Sequence, residues 1–300
     1  MTKNILITGG SGLVGSAIQE LLNAKGHSVA VLSRRKKINA LKSFYWDYEN
    51  GVIDPKAIEF ADIIIHLAGE NISAKRWTNK QKHKIIESRV KTTELLYSAI
   101  KKLEKKPEKI ISASAIGYYG TKTSDYIFSE DDDSGNDFLA ETVLKWEAAV
   151  DKFADLGITT SKLRIGVVMS SRGGALPEMI KPLKMGFATA IGSGRQYIPW
   201  ISLEDLARMF AFLIENKETA KVYNAVNPSH LTNKQLTKSL AKKYNKPLLP
   251  IGIPSFVLKL IFGEMAIILL EGSRVSSKKI QDAGFEFQHS NWDDFLNRAI

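Results

Sequence analysis

Short runs of β-branched and aliphatic residues alternate along this chain with longer stretches in which apolar positions recur every three or four residues. The short runs predict strands at Asn4–Thr8, Ser28–Leu32, Ile63–Leu67, Lys109–Ala113, Thr159–Val168 and Lys221–Val226. The longer ones predict helices at Leu13–Lys25, Asn79–Lys102, Phe138–Ala154, Leu203–Glu215 and Asn233–Lys243. Ser202 and Thr232 stand where a side-chain oxygen can cap a helix start, and Gly26 and Gly157 stand where helices should stop. Strand and helix in alternation build a parallel sheet covered on both faces, because each crossover helix buries its apolar stripe against the sheet. The expected fold class is α/β, a doubly wound and mostly parallel sheet.

The rhythm changes near Pro247–Pro254, after which a mostly helical tail runs to a last helix at about Trp292–Ile300. Two segments are therefore expected: 1–247 as the α/β domain and 248–300 as a small C-terminal helical domain packed on it. The tail is too short to bury a core of its own. Asp125–Asn136 is acidic and turn-rich, and reads as a surface loop.

A chain of 300 residues with 44% hydrophobic content buries a real core. Disordered, collagen-like and coiled-coil classes are excluded. There is no Cys, hence no disulfide, thiolate metal site or cysteine nucleophile. The five histidines are dispersed without metal-ligand spacing, so no metal is expected. The stretch Ile251–Leu270 is interrupted by Pro254, Lys259, Gly263 and Glu264, too often to span a bilayer. Met1–Gly10 enters a strand without a signal-like apolar region, and a cytoplasmic protein is expected. The formal charge of +10 comes from basic clusters at Arg34–Lys37, Lys101–Lys109 and Lys242–Lys246. No nucleic-acid module accompanies them, so neither a nucleic-acid nor a membrane partner is expected. The last two clusters read as solvated surface, but the first falls at an informative place.

The strongest local motif is Ile5-Leu6-Ile7-Thr8-Gly9-Gly10-Ser11-Gly12-Leu13-Val14-Gly15: strand, glycine turn, helix start. Glycines let the turn tighten and let backbone touch a pyrophosphate, and a third one lets the helix pack close to the strand. The helix start adds free N–H groups and partial positive charge. With Ser28–Leu32 completing a βαβ unit, the turn reads as the dinucleotide site of a Rossmann-like domain. Gly9, Ser11, Gly12, Leu13, Val14 and Gly15 are its candidate contacts. At the end of the second strand stand Ser33, Arg34 and Arg35, with no carboxylate until Asp47. A guanidinium grips a 2′-phosphate in two-pronged fashion, whereas an acidic residue would suit a ribose hydroxyl. NADP is therefore expected in preference to NAD.

These residues resemble the short-chain dehydrogenase/reductase superfamily in its extended, epimerase-like form. The resemblance continues through His66-Leu67-Ala68-Gly69-Glu70-Asn71-Ile72, Lys75-Arg76-Trp77, Glu87-Ser88-Arg89-Val90 and Ser112-Ala113-Ser114-Ala115-Ile116-Gly117-Tyr118-Tyr119-Gly120. Further on it includes Asp137-Phe138-Leu139-Ala140, Gly173-Gly174-Ala175-Leu176-Pro177, Ile191-Gly192-Ser193-Gly194-Arg195-Gln196 and Asn224–Pro228. The whole chain looks like an atypical branch labelled NAD(P)-dependent or nucleoside-diphosphate-sugar epimerase. That branch ends in a small domain of unknown function, which Pro250–Phe287 resembles. The resemblance implies that Leu67, Ala68 and Gly69 border the cofactor and that Arg89 looks toward it; an ordinary helix-surface arginine is the competing reading.

Extended members of the superfamily pair a Ser or Thr with a Tyr and a Lys four residues later, the Lys tuning the phenol as general acid or base. Ser114 occupies the serine position. Where Tyr and Lys belong, this chain has Leu139 and Val143. Tyr97–Lys101 and Tyr118–Lys122 reproduce the spacing in the wrong places. Tyr118 is close enough in sequence to Ser114 to be a candidate proton donor, or it is a packed aromatic. Glu70 is a second candidate acid/base, or a turn residue bonding backbone amides. Arg195, in a glycine-rich turn, is the candidate for a substrate phosphate, or a plain surface residue. Two functions stand: an NADP-dependent oxidoreductase or epimerase on a small substrate, nucleotide-linked or not, and a non-catalytic NADP-binding sensor or regulatory protein. The sequence names neither the substrate and reaction direction nor the oligomeric state.

Overall fold

The computed structural model describes residues 2–34, 42–216, 219 and 221–300. From the amino end come β1 (Asn4–Thr8), α1 (Leu13–Ala24), β2 (Ser28–Ser33), β3 (Ser43–Asp47), β4 (Val52–Ile53), α2 (Pro55–Phe60) and β5 (Ile63–His66). They are followed by α3 (Asn79–Lys101), β6 (Lys109–Ala115), β7 (Ser124–Phe128), α4 (Phe138–Asp151) and β8 (Thr159–Ile165). Next are β9 (Val167–Ser170), β10 (Gly173–Gly174), α5 (Leu176–Lys184), β11 (Trp200–Ser202), α6 (Leu203–Glu215), β12 (Val222–Ala225) and α7 (Asn233–Lys243). The C-terminal stretch contains α8 (Ser255–Phe262), α9 (Ile267–Leu270), β13 (Ser273–Val275), α10 (Lys278–Asp282) and α11 (Trp292–Ala299).

The main sheet runs β12-β8-β6-β5-β1-β2-β3-β4, parallel throughout except for the edge pair β3–β4. Residues alternate between its faces with period two. Ile5 and Ile7 of β1 join one core with Ile18 and Leu22 of α1 and Phe210 of α6. Leu6 between them joins the other, with Leu96 and Ile100 of α3 and Trp146 of α4. The alternation of apolar runs is thus a doubly wound α/β sheet. Strand order reverses at β1, which pairs with β2 on one side and β5 on the other. Beyond the carboxyl ends of two such strands an open crevice forms, because their helices leave to opposite faces.

Two expectations are corrected. The strand expected over Thr159–Val168 breaks at Gly166 into β8, in the main sheet, and β9, in a small sheet with β10 and β11. A Cβ at Gly166 would collide with the Pro199 carbonyl, so the close crossing of the two segments requires glycine there. Asp125–Asn136 is not simply a loop: its first residues lie in β7, which pairs with β13 in the C-terminal stretch. Glu130 within it is buried and accepts a hydrogen bond from the Asn224 amide at 2.6 Å.

The C-terminal stretch is joined to the body at further points. Ile280 and Phe285 enter the α1–α6 core, and Trp292, Phe295 and Leu296 pack on Met169 and Trp200. The fully buried Asp205 carboxylate accepts the Gln288 and His289 amides at 2.7 and 3.2 Å. Among the described residues no helix is long and apolar enough to cross a membrane.

Candidate functional site

The glycine turn sits at the reversal point of the sheet. Gly9 has φ of +68°, a left-handed conformation that favours glycine, and a Cβ there would lie 3.1 Å from the Leu67 backbone. A Cβ at Gly15 would lie 2.6 Å from the Gly10 Cα, closer than real side chains come. The turn closes with a 3.1 Å bond from the Gly12 amide to the Gly9 carbonyl. Gly12 then starts α1 with no side-chain cap and no acidic residue in the first turn. The first-turn amides, those of Leu13, Val14 and Gly15, are therefore open to an anion. Ser11 and Gly12 are exposed at the tip.

Gln19 was not legible as part of this turn. Its buried amide donates to the Gly10 and Gly15 carbonyls at 2.6 and 3.0 Å, pinning turn to helix. A glutamine four residues after the last glycine carries no signal until the helix is built.

A second buried chain of bonds fixes the adjacent β5 end. The Thr8 Oγ1 accepts the Leu67 and Ala68 amides at 3.0 and 3.1 Å, and lies 2.8 Å from His66 Nδ1. With two amides on that oxygen, its proton goes to Nδ1. The ring proton then sits on Nε2 and donates to Thr93 Oγ1 at 2.9 Å, which in turn donates to the Arg89 carbonyl at 2.7 Å. Burial holds the His66 imidazole down at about 3, hence neutral.

Arg89 reaches from α3 to the same edge. Its guanidinium carbon would lie 3.1 Å from a Cβ at Gly69, and Nη1 donates to the Glu70 and Ile85 carbonyls at 3.1 and 2.9 Å. Burial lowers it to about 10, still charged at neutral pH. Gly9–Gly15, Leu67, Ala68, Gly69 and Arg89, the residues expected to contact a cofactor, thus meet at one edge. Ser33 ends β2, paired with Tyr45, and Arg34 follows it, exposed. Arg35 lies outside the described residues. Asp47, half-buried on β3, is held below the usual carboxylate range by the Asn50 side chain and, more weakly, by the Arg34 charge.

Of the expected catalytic residues, Ser114 is tied into a buried polar network that the Tyr118 ring borders. Ser114 donates to Glu147 Oε1 at 2.6 Å. Arg164 of β8 grips both oxygens of that carboxylate at 3.0 and 3.1 Å. Burial pushes the Glu147 carboxyl up, but the Arg164 bonds and charge outweigh it and hold it below the ordinary range. Arg164 also donates to the Tyr119 hydroxyl at 3.1 Å and lies over the Tyr118 ring at 3.3 Å from its centre. Tyr119 in turn donates to Asn224 at 2.7 Å, and burial raises its phenol to about 12. Neither Glu147, which lies in the family-like run Lys145–Ala149, nor Arg164 was assigned a site role from sequence, because their spacing from Ser114 is meaningless until β6, α4 and β8 are neighbours. Leu139 and Val143 face Gly117, where a Cβ would lie 3.2 Å from the Leu139 Cβ. Lys145 is exposed and pairs with Glu141.

Beyond the start of α4 opens a cleft of about 860 Å³ between the starts of α3 and α4 and the C-terminal stretch. Trp77, Phe138 and Leu139 line it together with Ala266, Ile267 and Leu270 of the C-terminal stretch. Of the glycine-rich turn 191–196, Gly192 and Ser193 line it while Arg195 is exposed and outside the lining. The buried Gln196 anchors this turn, donating to the Ile191 and Leu269 carbonyls at 3.0 and 2.8 Å. Glu70 is also outside the lining, its carboxylate 3.8 Å from Lys84. Among the described residues no group of His, Asp or Glu side chains is arranged to hold a metal.

Comparison with known proteins agrees with this geometry. Residues 5–227 match the profile of the NAD dependent epimerase/dehydratase family, and residues 253–299 match a domain of unknown function. An epimerase family protein of Mycobacterium tuberculosis is 36% identical over 296 residues, 98% of this chain and 97% of that one. The crystal structure of human epimerase family protein SDR39U1 (isoform 2) with NADPH superposes with a TM-score of 0.87 at 31% identity, covering 99% of this chain and 98% of that one. The nucleoside-diphosphate sugar epimerase of Corynebacterium glutamicum superposes with a TM-score of 0.81 at 28% identity, covering 100% of this chain and 58% of that one.

Proposed function

The chain belongs to the NAD dependent epimerase/dehydratase family, and from that premise we propose that it is an NADP-dependent oxidoreductase acting on a small molecule. One observation carries the reading: the uncapped start of α1 and the glycines that exclude any Cβ lie where the sheet reverses, beside Leu67 and Ala68. A dinucleotide fits these residues. Gly9, Ser11, Gly12, Leu13, Val14 and Gly15 would hold its pyrophosphate, and Ser33, Arg34 and Arg35 its 2′-phosphate. Leu67, Ala68, Gly69 and Arg89 would flank it. The NADPH in the similar human protein supports the choice of dinucleotide.

A bound reduced nicotinamide supplies a hydride, so the chain itself must position a carbonyl and deliver a proton to its oxygen. In this reading Tyr118 is the donor, fixed by the Arg164 guanidinium on its ring. Ser114 orients the site through Glu147, and Glu70 is the alternative proton source at the β5 edge. A second reading, a non-catalytic NADP-binding protein, is favoured by the apolar Leu139 and Val143 at the positions of the usual Tyr and Lys. Incubating the protein with NADPH and a panel of carbonyl compounds, and following nicotinamide absorbance, separates the two. Oxidation of NADPH that Tyr118→Phe lowers supports the enzyme. NADPH binding without turnover on any compound leaves the non-catalytic reading.

A further inference from the structure

We propose that the outer face of α8, with the extended segment before it, docks on an anionic lipid bilayer. Among the described residues eleven large apolar side chains are exposed, and five of them fall between Leu249 and Ile261. Single apolar residues scattered over a surface are ordinary, whereas a cluster marks a place that meets another apolar phase.

The fold gathers these side chains on purpose-built backbone. The segment Pro247–Ile253 runs parallel to Ala188–Gly192, the Ala188 amide donating to the Pro247 carbonyl at 2.9 Å and the Leu249 amide to the Ala188 carbonyl at 2.8 Å. Alternate residues of an extended segment share a side, so Leu249 and the 76% exposed Ile251 project together. On α8, Phe256 and Leu260 stand one turn apart on one face, 70% and 76% exposed. Leu258 turns the other way and is buried, while Ser255 and Lys259 face the cleft. A surface helix ordinarily carries polar residues on the face turned away from its protein. Here that face is apolar.

The charge around it has one sign. Met179–Leu203 and Lys221–Gly263, the two stretches joined by this pairing, contain neither Asp nor Glu. They hold ten cations, Lys181, Lys184 and Arg195 in the first and seven lysines in the second, as many as the whole formal excess of +10. Lys184 and Lys246 are exposed where the paired segments begin, and Lys259 is exposed on α8 itself. Arg76, also exposed, donates to the Leu260 carbonyl at 3.2 Å and adds a cation at the far end of the helix. Glu264, just after α8, is paired with Lys82.

Phosphate headgroups above an acyl layer match both features at once: lysines gain from the surface potential and the aliphatic side chains from leaving water. The residues that keep Ile251–Leu270 from spanning a bilayer do not keep it from lying on one, which needs only an apolar face with cations beside it. A second copy paired about a two-fold axis would bring the same cations together with no acid to meet them. A nucleic acid would answer the lysines and leave the exposed aliphatic side chains in water.

The test is sedimentation of the full chain with vesicles of phosphatidylglycerol and phosphatidylcholine in equal parts, and with vesicles of phosphatidylcholine alone. Binding to the mixed vesicles is expected, weakened by added salt and at least about tenfold weaker without phosphatidylglycerol. The double substitution Phe256→Ser with Leu260→Ser should weaken it about tenfold or more, and Lys246→Glu about tenfold, with the affinity for NADPH changed less than about twofold. All three positions are exposed, and Ile251→Ser, off the helix, keeps the test decisive if the double variant fails to fold. No sedimentation with the mixed vesicles, equal binding to both kinds, or binding indifferent to Ile251→Ser and to the double substitution would overturn the proposal. So would a dimer in solution that the same substitutions dissolve, without vesicle binding, since the face would then belong to a second copy.

Discussion

The hydroxyl of Ser114 donates to a carboxylate oxygen of Glu147, 2.6 Å away, in the buried layer between sheet and α4. Ser114, a candidate catalytic residue, is thus bonded to an acid that is itself held by Arg164. The network unites three segments that are distant in sequence, and it sets the first expectation.

Glu147→Gln should destabilise the fold by about 3 kcal/mol, because it leaves the buried Arg164 guanidinium without its counter-charge. Ser114→Ala should cost only about 1 kcal/mol, the worth of one bond. The folded-state pKa of Glu147 is depressed, so its contribution is present above the ordinary carboxylate range. It is lost as pH falls through the depressed value. Urea unfolding at neutral and acidic pH checks both the size and the direction.

His66 gives a different pH dependence. Its pKa is lowered from the ordinary 6.5 to about 3 by burial, so between those values the unfolded chain binds one proton more than the folded one. Stability is then full above the ordinary value and falls by roughly 1.4 kcal/mol per pH unit on acidification through that window. His66→Gln should flatten this slope between pH values of about 6 and 5, as read by urea midpoints. An unchanged slope would mean that the ring is not held neutral.

Gly15→Ala places a methyl 2.6 Å from the Gly10 Cα, backbone that cannot step aside. A stability loss of about 1–3 kcal/mol is expected, as for overpacking, with a larger proportional loss of NADPH binding. Thermal melts with and without NADPH measure both, and a melting point that NADPH raises equally in parent and variant would contradict the turn's assignment.

Arg34→Asp should weaken NADPH much more than NADH, by about 1–3 kcal/mol for one charged contact. Calorimetry with both nucleotides decides it. Equal losses would show that the exposed Arg34 does not read the 2′-phosphate.

Gln19→Leu removes both bonds that pin the turn, at the Gly10 and Gly15 carbonyls. A loss of about 1–2 kcal/mol in stability is expected, with faster exchange of the turn amides. Hydrogen exchange of Gly10–Gly15 reports it directly.

What could be read from the chain alone was local. The alternation of runs led to the parallel sheet, and Gly9–Gly15 between a strand and a helix marked the candidate nucleotide turn, because those patterns lie within a few residues of each other. The resemblance to the family, not a local pattern, placed Leu139 and Val143 where Tyr and Lys would stand. Tertiary structure decided the rest. Gly166 ends β8 because Pro199, 33 positions later, crosses it. β7 is a strand because β13 arrives from the other end of the chain. Glu147 and Arg164 became partners of Ser114 only when three elements were stacked. The cleft forms only once Ala266, Ile267 and Leu270 of the C-terminal stretch join Trp77, Phe138 and Leu139 in its lining. Spacing records what the backbone can do with its near neighbours; which distant groups share a dry interior, and which charges are already neutralised there, is settled by packing.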